Sequence, residues 1–379
     1  MSNAILPFTL EMPEAELAVL RSKLELTRWP DAETADGWLQ GVPLARAKSL
    51  VDYWRHEYDW RRCESMLNGF GQYRTRIGGL DIHFLHVRSP HRDALPMIMT
   101  HGWPGSIIEF HKVIRPLTEP EKFGGNASDA FDLVIPSLPG YGFSGKPAAP
   151  GWNIERIATA WGELMARLGH ERYVAQGGDW GAAVTTEMAR QKPAGLAGVH
   201  MNIVAVRPKI MPRDQATPEE QRAMAAMQRY QQLECGYSVE QATKPQTLGY
   251  GLADSPVGQA MWIYEKFQSW TDCEGEPENV LSRDEMLDDI MLYWLTNSAT
   301  SSARLYWESY FKQQRVEVDL PTGFSLFPKE IFTAPRHWAA ESFRNIVYWH
   351  ETERGGHFAA LEQPELFVRE LRDCFRQMR

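Results

Sequence analysis

The stretch Val174-Ala175-Gln176-Gly177-Gly178-Asp179-Trp180-Gly181-Ala182-Ala183 constrains this chain more than any other. The short apolar run Tyr173 to Ala175 reads as a strand, and from Ala182 the residues Ala183, Val184, Glu187, Met188 and Ala189 suit a helix. Between them lies Gly-x-Asp-x-Gly, which has the form of a nucleophile elbow with Asp where Ser usually stands. A strand turning straight into a helix crowds its own backbone. Small residues at 177 and 181 relieve that crowding, and the apex residue is held out into a pocket. An anion there also faces the positive end of the following helix, which favours ionised, nucleophilic Asp. An ordinary Asp N-cap would need only Asp179 and none of the glycines. On this stretch alone the two readings weigh equally.

A chain of 379 residues can bury a large core. Its 43% hydrophobic and 23% charged content are ordinary for a soluble globular protein. A net charge of −9 with no basic cluster argues against a nucleic-acid partner. No apolar run reaches the roughly 18–20 residues that span a bilayer. The N-terminus meets Pro and Glu too early for a signal peptide. Cys63, Cys235, Cys273 and Cys374 are scattered, without a CxxC pair, which suggests reduced thiols. The expectation is a cytoplasmic protein without a membrane partner.

Changes of period divide the chain into four segments. Residues 1–70 read as mostly helical, with one helix opened by Met12 to Glu16 and broken at Arg28 to Asp31, a second over about 44–58, no strand pattern, and a role in wrapping the neighbouring sheet domain. Residues 71–207 alternate strands and helices, with strands predicted at 82–87, 96–100, 131–135, 173–175 and 196–206. Residues 208–316 are helical and crowded with aromatics, as an insertion or lid would be. Residues 317–379 return to strands at 322–327 and 345–349 and end in a helix over 364–376. This alternation implies a mainly parallel sheet covered on both faces.

Three motifs mislead. Gly140-x-Gly142-x-x-Gly145 matches a dinucleotide fingerprint, but Pro147 and Pro150 prevent a helix from starting there. Gly140-x4-Gly145-Lys146 nearly spells a phosphate loop, with Pro147 in the place of the magnesium-binding hydroxyl. His83 and His86 stand on opposite faces of one strand and cannot share a metal. No metal or cofactor is expected.

Three further pieces fall where an α/β-hydrolase reading of Asp179 needs them. His101-Gly102-Trp103-Pro104 follows an early strand, and Trp103 can supply one backbone N–H of an oxyanion hole, Trp180 the other. His101, Gly102 and Pro104 would then line the substrate pocket. Gly355-Gly356-His357-Phe358 follows the last strand, where the base belongs. Phe327-Pro328-Lys329-Glu330 ends the strand before it, where the orienting acid belongs, although Asp319, Glu341, Glu351 and Glu353 compete with Glu330. An Asp nucleophile attacks an alkyl carbon, so the ester carbonyl belongs to the enzyme. The base then sends water against that carbonyl. Substrates must be electrophilic carbons with a leaving group, epoxides or alkyl halides.

The chain resembles the microsomal-type epoxide hydrolases, including juvenile-hormone hydrolases and soluble bacterial relatives. The resemblance runs through Arg28-Trp29-Pro30, Tyr58-Asp59-Trp60-Arg61, His101 to Ser106, Gly177 to Gly181, Ala242 to Pro245, Asp254 to Gly258, Pro321 to Phe324 and Gly355 to Ala360. It implies an α/β-hydrolase fold with Asp179 as nucleophile, His357 as base and Glu330 as acid. It also implies two lid tyrosines, Tyr237 and Tyr306, on the epoxide oxygen. The reactants would be a small hydrophobic epoxide and water, and a homo-oligomer stays open. The membrane anchor of the microsomal enzymes is not found here. Two rivals stand beside this reading. Haloalkane dehalogenases share the Asp-Trp elbow but usually carry Asn or Glu where this chain has Trp103. A non-catalytic binding protein would have no reason to keep nucleophile, base and acid together.

Overall fold

The apolar runs of the sequence form the middle of one sheet. The computed structural model describes residues 4–204, 206, 213–312 and 317–379. The strands among them are β1 (Leu6–Pro7), β2 (Gln72–Ile77), β3 (Leu80–Val87), β4 (Leu95–Thr100), β5 (Phe131–Pro136), β6 (Tyr173–Gly177), β7 (Leu196–Met201), β8 (Thr322–Leu326) and β9 (Ile346–Glu351). They order as β1-β2-β3-β5-β4-β6-β7-β8-β9. The pairs from β1 to β5 are antiparallel, and those from β5 through β9 are parallel. Strands β5, β6 and β7 are buried on both faces, as parallel strands covered by helices must be.

The helices follow the expected periodicity. N-terminal to the sheet are α1 (Glu14–Glu25), α2 (Leu44–His56) and α3 (Trp60–Asn68). Within the sheet region come α4 (His111–Thr118), α5 (Ile154–Arg167) and α6 (Trp180–Gln191). Helix α5 buries Ile154, Ile157, Ala158, Trp161, Leu164 and Met165, one stripe at helical spacing, and Asn153 caps it. Between β7 and β8 stand α7 (Pro218–Arg229), α8 (Gly236–Thr243), α9 (Pro245–Asp254), α10 (Pro256–Trp270), α11 (Arg283–Leu295) and α12 (Ala299–Ser309). Short α13 (Arg336–Ala339) and α14 (Ala359–Glu362) precede the closing α15 (Pro364–Phe375). The expected ends of the insertion, 208 and 316, lie outside the described residues.

Two expectations need correction. The N-terminal segment does carry a strand, β1, which two residues of β2 recruit to the sheet edge. It is too short to leave a period. Strand β7 stops at Met201, not at 206. There Asn202 leaves the ladder and its Oδ1 accepts a hydrogen bond from Gln176 Nε2 at 3.0 Å. Residues 205 and 207 lie outside the described residues. The segment Gly140 to Gly145 is a tight loop closed by the Gly140 N–H on the Gly145 carbonyl, and the next helix begins only at Ile154.

Polar contacts tie the inserted helices to both neighbours. Tyr58 and Arg62 of the N-terminal segment bond the Asp288 carboxylate at 2.7 and 2.6 Å, and the Tyr53 hydroxyl donates to Asp284. The segment thus braces α11 as well as the sheet. On the opposite side of α11, Ser106 and Asp289 meet at 2.6 Å, and Tyr293 donates to the Gly105 carbonyl at 2.8 Å. At the end of α10 the Trp270 carbonyl accepts the His357 N–H at 2.8 Å.

This packing sets two measurable outcomes. A Cβ at Gly181 would lie 1.9 Å from the Thr100 carbonyl oxygen, and one at Gly177 would lie 2.2 Å from the Gly181 carbonyl oxygen. Neither neighbour is a side chain that can swing away. Gly181→Ala should therefore cost at least ~3 kcal/mol in denaturant unfolding. Gly251→Ala, in α9 with open space around it, should instead add about 0.5–1 kcal/mol. The second outcome concerns Asp289, whose pKa burial pushes up to about 8. The unfolded chain ionises this group at about pH 4, whereas the folded chain keeps its proton until about pH 8. Stability thus falls as pH rises through that window and is level above it. Asp289→Asn should lose this slope, so its melting-temperature advantage over the native chain should grow from pH 5 to pH 8.

Candidate active site

Asp179 sits between β6 and α6 with φ 50° and ψ −128°, a conformation that costs a non-glycine residue and recurs at functional sites. Its side chain does not cap α6. The N-cap alternative is thereby set aside. The carboxylate turns instead across β4, where Asp179 Oδ1 accepts the Trp103 N–H at 2.8 Å. Glycine is required at 102, because a Cβ there would fall 2.1 Å from Oδ1.

The other oxygen, Asp179 Oδ2, is 3.5 Å from His357 Nε2. The far ring nitrogen, Nδ1, meets Glu330 Oε1 at 2.6 Å, and the Ile331 N–H donates to the same carboxylate oxygen. Both side chains are buried. The competing acids lie elsewhere: Asp319 pairs with Lys192, and Glu353 with Arg369. Burial opposes a charge on His357, but the Glu330 and Asp179 carboxylates outweigh it. They hold its imidazolium well above the ordinary range.

Tyr237 of α8 and Tyr306 of α12 converge on this pair. Their ring centroids are 5.9 Å apart. Tyr237 stacks on Trp103 at 5.0 Å and 12°, and Tyr306 meets Trp180 edge-on at 4.8 Å. Burial, reinforced by the Asp179 charge, pushes both phenols well above their ordinary value, so both are neutral donors at pH 7.

The remaining expected residues divide. Trp180 opens α6, and Gly102 and Trp103 line a small cavity against Asp179 and His357. His101 touches that cavity, but both of its ring nitrogens face backbone groups. Nδ1 lies 2.9 Å from the Gly102 carbonyl, and Nε2 accepts the Leu138 N–H at 3.2 Å. Burial lowers its pKa to about 4, so it is a neutral strut of the loop. Pro104 is not among the residues lining this cavity.

Sequence reasoning missed three neighbours. Tyr230, in the π-helical turn Tyr230–Glu234, reaches the Tyr237 hydroxyl at 3.1 Å. Trp270 meets both His357 and Tyr237 edge-on at 4.9 and 5.2 Å. Glu109 lines the cavity. Only Glu109 left a signal, a lone acid inside the apolar run Ile107-Ile108-Glu109-Phe110. Among the described residues no group of three or more His, Cys, Asp or Glu is placed to hold a metal, and no helix is long and apolar enough to cross a membrane.

Known proteins match this chain over nearly its whole length. Residues 5–110 match the family model described as the epoxide hydrolase N terminus, and residues 96–331 match that of the alpha/beta hydrolase fold. A protein of Stigmatella aurantiaca, provisionally named as an epoxide hydrolase, is 57% identical over 99% of this chain and 86% of its own length. Epoxide hydrolase 1 of Oryctolagus cuniculus is 36% identical over 97% of this chain and 88% of its own. The structure of Aspergillus niger epoxide hydrolase superposes with a TM-score of 0.89 at 32% identity, covering 99% of this chain and 97% of that one. With such identity along nearly its whole length, the chain belongs to the microsomal-type epoxide hydrolase family.

Proposed function

We propose that this chain opens a small hydrophobic epoxide to a vicinal diol through a covalent ester on Asp179. The observation that carries the reading is the carboxylate itself: it leaves its helix uncapped and faces His357 on one side, while its charge reaches two buried phenols. In the first step Asp179 Oδ2 attacks an epoxide carbon and the C–O bond breaks. Tyr237 and Tyr306 donate to the oxygen as its charge develops, one phenol passes its proton to it, and the proton that then leaves His357 restores that phenol. Alkylation turns the carboxylate into a neutral ester. One of the two anions that hold the proton on His357 is then gone, so the imidazole can give up that proton and serve as a base. In the second step His357 takes a proton from water, whose oxygen attacks the Asp179 carbonyl carbon. The Trp103 N–H, with that of Trp180, steadies the oxyanion. Collapse expels the diol oxygen, which takes the remaining proton of the added water, and so restores the carboxylate, with Glu330 steadying the imidazolium.

In this reading residues 208–316 are the lid that brings the tyrosines to the nucleophile, and residues 1–70 brace it. Residues 71–207 and 317–379 form the catalytic core. No metal or cofactor takes part. The four cysteines, all free, suit a reducing cytoplasm. Two neutral phenols favour an epoxide over an alkyl halide, because the epoxide oxygen stays on the product and needs a donor as the ring opens.

His357→Gln should still be alkylated but hydrolyse the ester slower by about 10²-fold or more, so that intact mass shows enzyme plus one substrate. Rapid turnover by this variant would move the base elsewhere. Tyr237→Phe and Tyr306→Phe should each slow alkylation, and the double variant should slow it by about 10³-fold. An unchanged single-turnover alkylation rate in the double variant would reopen the dehalogenase reading, which halide release from chloroalkanes would then test.

A further inference from the structure

The small cavity beside the nucleophile leaves about 10 Å³ for the centre of a water molecule, close to the space one water needs. It is bounded by Gly102, Glu109, Asp179, Asn202 and His357, and neither Tyr237 nor Tyr306 lines it. It therefore lies apart from the phenols that would meet the epoxide. A water there has the Asp179 carboxyl and the His357 imidazole in its walls, the two groups that hydrolysis must join. Among the described residues Glu109 is the one other acidic wall. Its carboxyl packs against Gly105, where a Cβ would sit 2.1 Å from Glu109 Oε2, and the Gly102 backbone supplies it a hydrogen bond.

We propose that Glu109 is a positioning residue for the hydrolytic water, accepting one of its hydrogens while His357 Nε2 takes the other. A water with one hydrogen on each acceptor keeps a lone pair free for the carbonyl carbon of Asp179, which lines the same cavity. No proton moves to Glu109, so the chemistry of the second step is unchanged, and only its orientation depends on this side chain. The state of the carboxyl suits this task. Burial pushes its pKa up to about 8, and the nearby Asp179 charge adds to the effect against the pull of His357. A neutral acid offers its carbonyl oxygen to the water without a second negative charge that would tighten the proton on His357. The residue also explains the glycine at 105, whose φ requires no glycine and whose missing Cβ makes room for this carboxyl.

The inference rests on the ester mechanism above, and the test separates the two. Alkylation and hydrolysis are measured individually by stopped-flow tryptophan fluorescence and quenched-flow mass on styrene oxide as the probe. Glu109→Gln keeps a carbonyl acceptor and should hydrolyse the ester at close to the native rate. Glu109→Met keeps the length but loses the acceptor. Its hydrolysis should slow by about tenfold to a hundredfold while alkylation is unchanged, so ester accumulates and kcat falls together with KM. Gly105→Ala keeps every polar group but displaces the Glu109 carboxyl, and it should show the same split, which gives a second reading if Glu109→Met folds poorly. Native-like hydrolysis in Gly105→Ala and Glu109→Met, or an equal loss in both steps, would overturn the assignment of Glu109. Absence of any ester in the native enzyme and in His357→Gln would instead overturn the mechanism on which it rests.

Discussion

Everything at this site depends on how closely three stretches of backbone approach one another at the end of β6. The Gly181 Cα faces the Thr100 carbonyl, Gly177 faces Gly181, and Gly102 faces the Asp179 side chain, each at a distance that leaves no room for a methyl group. Packing this tight holds Asp179 Oδ1 2.8 Å from the Trp103 nitrogen. The strained φ of Asp179 is sustained by the same contacts, since β4, β6 and α6 over-determine the turn. Remove the closeness and the apex residue relaxes toward an ordinary cap.

The remaining groups come to that point from far away in the chain. Strands β8 and β9 deliver Glu330 and His357 on the loops beyond their ends, and α8 and α12 bring the phenols from the other side. Trp270 joins these parts. Its carbonyl holds the His357 N–H, and its ring lies between His357 and Tyr237. The site is thus a meeting of the C-terminal ends of the parallel strands with the inserted helices, and neither layer completes it alone.

The elements most legible in the sequence were those with a strict local cause. A glycine spacing, an alternating run or a Pro-ended loop reflects sterics within a few residues, so the strand-to-helix turn at Asp179, the central strands and the loop that carries His357 could be read directly. The α/β-hydrolase fold followed from their order. What escaped depends on partners distant in sequence. Two residues cannot show that they are a strand until β2 pairs with them, and the end of β7 depends on Gln176. The choice of Glu330 among five acids rested on resemblance, and the 2.6 Å contact with His357 is a tertiary fact with no local signature. Tyr230 and Trp270 were indistinguishable from the many aromatics that pack the inserted helices. Glu109 differed only in being an acid where an apolar residue would have fitted the pattern.

The hydrogen bond from Trp103 to Asp179 exists before any substrate arrives, and its value therefore changes along the proposed path. Catalysis is gained only from contacts that strengthen on the way to a transition state. As the carboxylate becomes an ester, Oδ1 loses negative charge and this bond weakens, so the donor resists alkylation. When water adds to the ester, the charge on Oδ1 returns in full and the bond recovers more than it lost. On the proposed path one backbone N–H thus raises the first barrier and lowers the second, which would make the ester a shallow intermediate instead of a resting place.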